Sequence, residues 1–230
     1  MVVSALLAFL PAAVAADIYG TITFQGTPPA EIPITPLKND PTCGPLHKQM
    51  PTTHFYRVGP QGGFADVVVS LAGVHGKSNG SEAKPLEIDQ KGCEYAPYIS
   101  ACQTGQKIIV RNSDPVLHNV HVTPTNPANH EENRAQMPNG PPITFTFNAP
   151  EEFLRFKCDV HPWMFAYVGV FEHPFYAVTV KDGTFKITGV PKGKYTLEAY
   201  HVKTHGANPG VLQEITVDGD AKADFTIELK

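Results

Sequence analysis

No stretch of this chain repeats apolar residues at helical spacing for three full turns; short Val, Ile, Thr, Phe and Tyr runs are cut by proline and glycine. The 22 prolines and 19 glycines are spread between those runs rather than gathered into one segment. Proline can neither continue a helix nor donate to a sheet ladder, and glycine supplies the positive φ that many turns need. The pattern therefore predicts many short strands joined by turns. Between Pro85 and Glu172 these strands are "QKIIVRNSD", "LHNVHVTP", "ITFTFNAP", "EFLRFKCDV" and "FAYVGVFEH". The region "NHEENRAQM" is the best place for a short helix. At 230 residues the chain can bury one large core or two small ones. The expected fold class is all-β, built as two sandwiches.

Charge narrows the partners. With 17% charged residues and a net charge of −4, the chain lacks the basic field that nucleic acid or an anionic membrane surface would require. The opening sixteen residues, "MVVSALLAFLPAAVAA", hold no charged side chain and end in small residues, as a secretory signal cleaved near Ala15 or Ala16 would. The competing reading is a membrane anchor. The segment falls short of the roughly 20 apolar residues a spanning helix needs, and Pro11 interrupts it. No later stretch is apolar enough to span a bilayer. The mature protein is thus expected in the periplasm or secreted, without a membrane span.

Two local patterns carry chemistry. In "EFLRFKC" a period of two places Leu154, Phe156 and Cys158 on one face and Arg155 and Lys157 on the other. Cys158 then opens "CDVHPWM", where Cys158, His161 and Met164 recur every third residue around a proline-stiffened turn. Three readings compete: a turn with accidental ligand-like residues, half of a disulfide, or the ligand loop of a soft-metal site. Thiolate, imidazole and thioether together select thiophilic metals, copper best of all. A trigonal two-His, one-Cys site with a long axial Met needs a second histidine, which "SDPVLHNVHV" can supply. Structural zinc prefers four Cys or His ligands, and a binuclear copper site would need a second cysteine in the loop. His118 and His121 lie three apart on a strand, so they face opposite ways and only one can ligate.

"LHNVHV", followed forty residues later by "CDVHPWM", resembles the cupredoxins, the small blue-copper proteins, and most of all their amicyanin-like and plastocyanin-like members. The resemblance covers 85–172 and includes "TGQKIIVRNSD", similar to the family's approach to its first histidine. It implies a Greek-key β-sandwich holding one mononuclear type 1 copper on His118, Cys158, His161 and Met164. Asn119 would tie the two ligand segments together, and His161 would lie at the surface as the electron's exit. His121 would then be an ordinary histidine, as would those at 47, 54, 75, 130, 173, 201 and 205. Trp163 is either a packing residue or an apolar cover for His161.

Four cysteines in an exported chain would by default form two disulfides, in one of three connectivities. With Cys158 given to the metal by the resemblance, a Cys43–Cys93 bridge pinning the proline-rich N-terminal segment is favoured, and Cys102 becomes a buried thiol.

The tail "AVTVKDGTFKITGVPKGKYTLEAYH" resembles the carboxypeptidase-regulatory-like (transthyretin-like) β-sandwich module, through Thr179, Asp182-Gly183, Phe185, Val190-Pro191, Gly193 and Tyr195. Its Asp-Gly pairs at 182 and 218 read as hairpin turns. Such modules begin with a strand like "YGTITFQG". The expected organisation is a signal peptide at 1–16, a cupredoxin domain at 85–172, and segments 17–84 and 173–230 joined in one smaller, discontinuous sandwich. No nucleophile elbow or triad suggests an enzyme. The expected function is single-electron transfer between periplasmic redox proteins such as c-type cytochromes or dehydrogenases. The alternatives are copper carriage or storage, or a structural envelope role.

Overall fold

The computed structural model describes residues 15–203 and 210–228. The signal-peptide segment therefore lies outside the described residues up to position 14, as does His205. Among the described residues strand takes 47% and helix 4%, which makes the class all-β. In chain order the strands are β1 (Ala15–Phe24), β2 (Val68–Leu71), β3 (Leu86–Gln90), β4 (Tyr95–Ala96), β5 (Ile99–Gln103), β6 (Lys107–Asn112), β7 (His118–Thr123) and β8 (Glu132–Gln136). There follow β9 (Ile143–Thr146), β10 (Glu151–Lys157), β11 (Phe165–Phe171), β12 (Tyr176–Val178), β13 (Thr184–Pro191), β14 (Gly193–Tyr200), β15 (Val211–Val217), β16 (Ala221–Lys222) and β17 (Phe225–Ile227). A short α-helix, α1 (Thr35–Asn39), has Pro36 in its first turn, where a missing N–H costs nothing, and a single 3-10 turn follows at Gly44–Leu46. Among the described residues no helix is long and apolar enough to cross a membrane.

Four sheets pair into two sandwiches. In the first, the sheet β5-β11-β10-β7-β8 faces β4-β3-β6-β9. Alternation decides what they bury. Leu154 and Phe156 of β10, with Cys158 just beyond its end, meet Ile108 and Val110 of β6 and Phe145 of β9 in one core. Phe145 lies edge-on to Phe156, with ring centroids 5.8 Å apart. In the second sandwich, β13-β1-β16 (with β17 also on β1) faces β12-β2-β14-β15. Its core joins Ile18 and Ile22 to Val69, Ile187, Leu197 and Phe225. Here β1 runs antiparallel to β13 and parallel to β17. Gly20 permits this crowding, because a Cβ there would sit 1.7 Å from the Ala223 carbonyl oxygen. Ala15 and Ala16 belong to β1 and pair with Pro191 and Val190.

A third apolar cluster lies where the outer face of β5 and β10 meets β2 and β14. Phe153 packs there edge-on against Tyr200 at 5.3 Å and against Tyr167 at 6.0 Å.

Three local expectations change. Asp182-Gly183 and Asp218-Gly219 are not hairpin turns: β12 and β13 lie in different sheets, as do β15 and β16. Each turn carries the chain across its sandwich, and β14 pairs antiparallel with β15 and β2. Gly183 (φ +79°) fits where a Cβ would meet the Ile22 carbonyl oxygen at 2.4 Å. "NHEENRAQM" holds strand β8, not a helix; it pairs with β7 from His118 to Val122 and exposes most of its polar side chains as a sheet edge. Finally, Leu37 and Cys43, from within 17–84, pack into the first core rather than beside β1.

Candidate metal centre

The site is built from the start of β7 and the turn between β10 and β11. Asn112 shapes the approach to β7: its Oδ1 accepts the Asp114 N–H at 3.0 Å and its Nδ2 donates to the Val116 carbonyl at 2.9 Å. That turn delivers His118, which is fully buried. The second segment closes on itself. The Cys158 N–H donates to the Met164 carbonyl at 3.1 Å, and the Met164 N–H to the His161 carbonyl at 2.9 Å. These two bonds hold Cys158, His161 and Met164 on one compact loop, all three buried.

Three ligand atoms converge. His118 Nδ1 lies 3.0 Å from His161 Nδ1, and Cys158 Sγ lies 3.7 Å from that same nitrogen. His118, Cys158 and His161 thus form a buried group with all ligand atoms within 4.8 Å of one another. His118 Nε2 sits 2.9 Å from Asp114 Oδ2. An ionised carboxylate only accepts, so Nε2 carries the proton and Nδ1 presents its lone pair to the site. Met164 is 1% exposed and packs in the same core. The donor set and its tautomer fit a soft metal such as copper.

Electrostatics prepares the ligands. Burial alone would raise the Cys158 thiol, but the neighbouring His118 and the backbone N–H groups of Asn119, His161 and Val160 outweigh it, and its pKa falls. Burial opposes charging of His118, yet its bonds to Asp114 and Cys158 raise its pKa. His161 moves the other way, lowered by burial and then by neighbouring His118.

Asn119 lies between the two ligand segments. Its Oδ1 accepts the Asp159 N–H at 2.6 Å, its Nδ2 donates to Asn133, and its N–H points at Cys158 Sγ at 3.4 Å. Tyr95 adds a second clasp, its hydroxyl donating to the Asn119 carbonyl at 2.8 Å and to that of Lys157 at 3.3 Å. Sequence reasoning gave no role to Tyr95 or Asp114, although Asp114 stands in the quoted "RNSD" approach. His121 faces away from the ligand group and contacts Asp159 and Glu131.

Cys43 and Cys93 are joined by a disulfide, and Cys102 is a buried free thiol. The bridge lies over the site: the Cys43 and Cys93 sulfurs fall within 4.8 Å of His161. Trp163 completes the cover, its ring 5.2 Å from that of His161 and its Nε1 donating to the Cys93 carbonyl at 3.0 Å. His161 is consequently only 6% exposed, and not at the surface as the resemblance implied. The disulfide-tethered segment around α1 occupies the face through which it would have emerged.

No family model and no curated protein matches this chain. Solved structures do resemble part of it. A copper-containing nitrite reductase from Thermus scotoductus SA-01 aligns at 19% identity over 40% of this chain and 23% of that one, with a TM-score of 0.35. This chain therefore spans about a quarter of that protein's length. An amicyanin variant in its oxidised state aligns at 16% identity over 44% of this chain and 97% of its own, with a TM-score of 0.34. A purple cupredoxin from Nitrosopumilus maritimus aligns at 19% identity over 37% and 98%, with a TM-score of 0.31.

Proposed function

We propose that this chain is an exported type 1 copper protein that passes single electrons between redox partners, a relay rather than an enzyme. The observation that carries the reading is the buried convergence of His118 Nδ1, His161 Nδ1 and Cys158 Sγ beside Met164. Copper, held there by His118, His161, Cys158 and Met164, would supply a Cu(II)/Cu(I) couple.

The chain's own residues do the rest. Asp114 fixes the tautomer and angle of His118. His118 and the backbone N–H groups around Cys158 lower its pKa, which favours the thiolate that a metal needs. Asn119 and Tyr95 clamp the two ligand segments, so little has to move when one electron arrives or leaves. The disulfide and Trp163 keep water from His161. Val160 and Leu117, each one residue from a ligand histidine, are 51% and 41% exposed. They give a partner an apolar contact close to the metal. Partners of the c-type cytochrome or dehydrogenase class suit this reading.

The second sandwich, read as a carboxypeptidase-regulatory-like module into which 85–172 is inserted, would serve as scaffold. Rapid mixing of the reduced, copper-loaded protein with an oxidised c-type cytochrome tests the relay. Fast, reversible electron exchange is expected. Copper held tightly with no exchange would point to carriage or storage instead.

A further inference from the structure

Beside the ligand loop lies a cleft of about 230 Å³ that the electron-transfer reading does not use. Rings of Phe55, Tyr98, Trp163 and Phe165 line it, and buried Met164 forms part of its wall. An engineered apolar cavity of roughly 150 Å³ in another protein takes benzene, so this space suits one substituted ring. Phe55 and Phe165 face each other across 6.1 Å in a stacked arrangement, and Tyr98 stands edge-on to Phe165 at 5.9 Å. Such surfaces favour a flat aromatic guest.

The polar groups define its chemistry further. His54 and Glu94 also line the cleft, paired at 3.1 Å and still 45% and 25% exposed. Glu94 offers carboxylate lone pairs that only accept. Cations already occupy the ring faces: Lys203 Nζ lies 3.5 Å from the Phe55 centroid and Arg155 Cζ 5.5 Å from that of Phe165. A cationic guest would be repelled by these, and an anionic one by Glu94. A neutral ring bearing a hydrogen-bond donor meets neither objection.

We propose that this cleft is a binding site for a neutral single-ring phenol, with its ring among Phe55, Tyr98, Trp163 and Phe165 and its hydroxyl donating to Glu94. The cleft shares Met164 with the metal centre, but its ring surfaces and Glu94 need no metal, so binding is tested on copper-free protein and apart from the electron-transfer reading.

Trp163, the sole tryptophan, reports directly from the cleft wall. The full-length, copper-free protein would be titrated with 4-methylphenol, toluene and benzylamine while tryptophan emission is followed. A saturable change with 4-methylphenol is expected, with toluene and benzylamine binding at least roughly tenfold more weakly, since a hydrogen bond to a charged acceptor is lost or a charge is opposed. Glu94→Leu should bring 4-methylphenol down to the level of toluene. Ile34→Phe, which fills the cleft, should abolish binding of both while thermal unfolding stays cooperative. Linear, non-saturating quenching by 4-methylphenol, or equal binding of toluene by the native protein, would overturn the proposal. So would an unchanged preference in folded Glu94→Leu.

Discussion

Asp114 holds His118 from behind, its Oδ2 2.9 Å from Nε2, the ring nitrogen not turned toward His161. The same carboxylate accepts the N–H groups of Gly92 at 2.6 Å and Cys93 at 2.7 Å, tying the imidazole to the disulfide-bearing turn. Partners of this kind orient a ligand and raise its basicity, and losing one typically costs about 10–100-fold in metal affinity. Asp114→Ala should therefore weaken copper binding by about that factor, measured by competition with a chelator of known affinity. Unchanged affinity would remove Asp114 from the account.

The Cys43–Cys93 bridge closes a loop with a sequence separation of 50 residues. A cross-link of that span restricts the unfolded chain by about 4 kcal/mol in the chain-entropy view. The Cys43→Ser/Cys93→Ser double variant should lose stability of that order in urea unfolding. It should also leave His161 more open to solvent, because both the sulfurs and the carbonyl that holds Trp163 would shift. A midpoint within error of the native protein's would show that the segment around α1 is held by packing alone.

Cys102 is 1% exposed, and burial pushes its thiol up to about 12. Thiolate is the reactive form, so Cys102 should resist a thiol reagent at mildly alkaline pH in the native state. The copper-loaded native protein should show no titratable thiol, and the denatured, copper-free protein two, from Cys102 and Cys158. In the copper-free native state Cys102→Ala, which retains Cys158, should react, whereas Cys158→Ala, which retains Cys102, should not; rapid labelling of Cys158→Ala would contradict this burial.

Burial, reinforced by Lys203, pushes His201 down to about 3 from an ordinary 6.5. Its ring packs 4.5 Å from that of Phe64. Below pH 6.5 the unfolded chain takes up a proton at this position that the folded chain refuses, down to the folded value. His201 therefore destabilises the fold progressively as pH falls through that window, with no effect above it. Melting temperatures of the native protein and His201→Gln, followed from neutral to acid pH, should move closer together or cross as pH drops. Parallel curves would mean that His201 is protonated in the fold.

Local order was the most readable part of the sequence. The period of two in "EFLRFKC" correctly turned Leu154, Phe156 and Cys158 inward, because that face packs into the first core while Arg155 on the other is exposed. The spacing of Cys158, His161 and Met164 was legible for the same reason: a seven-residue loop carries most of its own geometry. What escaped depends on distant pairings. Turn chemistry at Asp182-Gly183 fixes a chain reversal but not the sheet that receives the next strand. Edge strand β8 buries almost nothing, so it lacks the alternation that would have marked it. The disulfide part of the cover over His161 comes from Cys43 and Cys93, far earlier in the chain, and of that cover only Trp163 is local to "CDVHPWM".

The most direct test of the metal centre is the visible absorption and EPR spectrum of the protein after addition of Cu(II), recorded beside Cys158→Ala. An intense thiolate-to-copper band with narrow copper hyperfine splitting, absent from the variant, is the result the buried His118, Cys158, His161 and Met164 arrangement predicts. A colourless protein, or a spectrum that Cys158→Ala leaves unchanged, would contradict it.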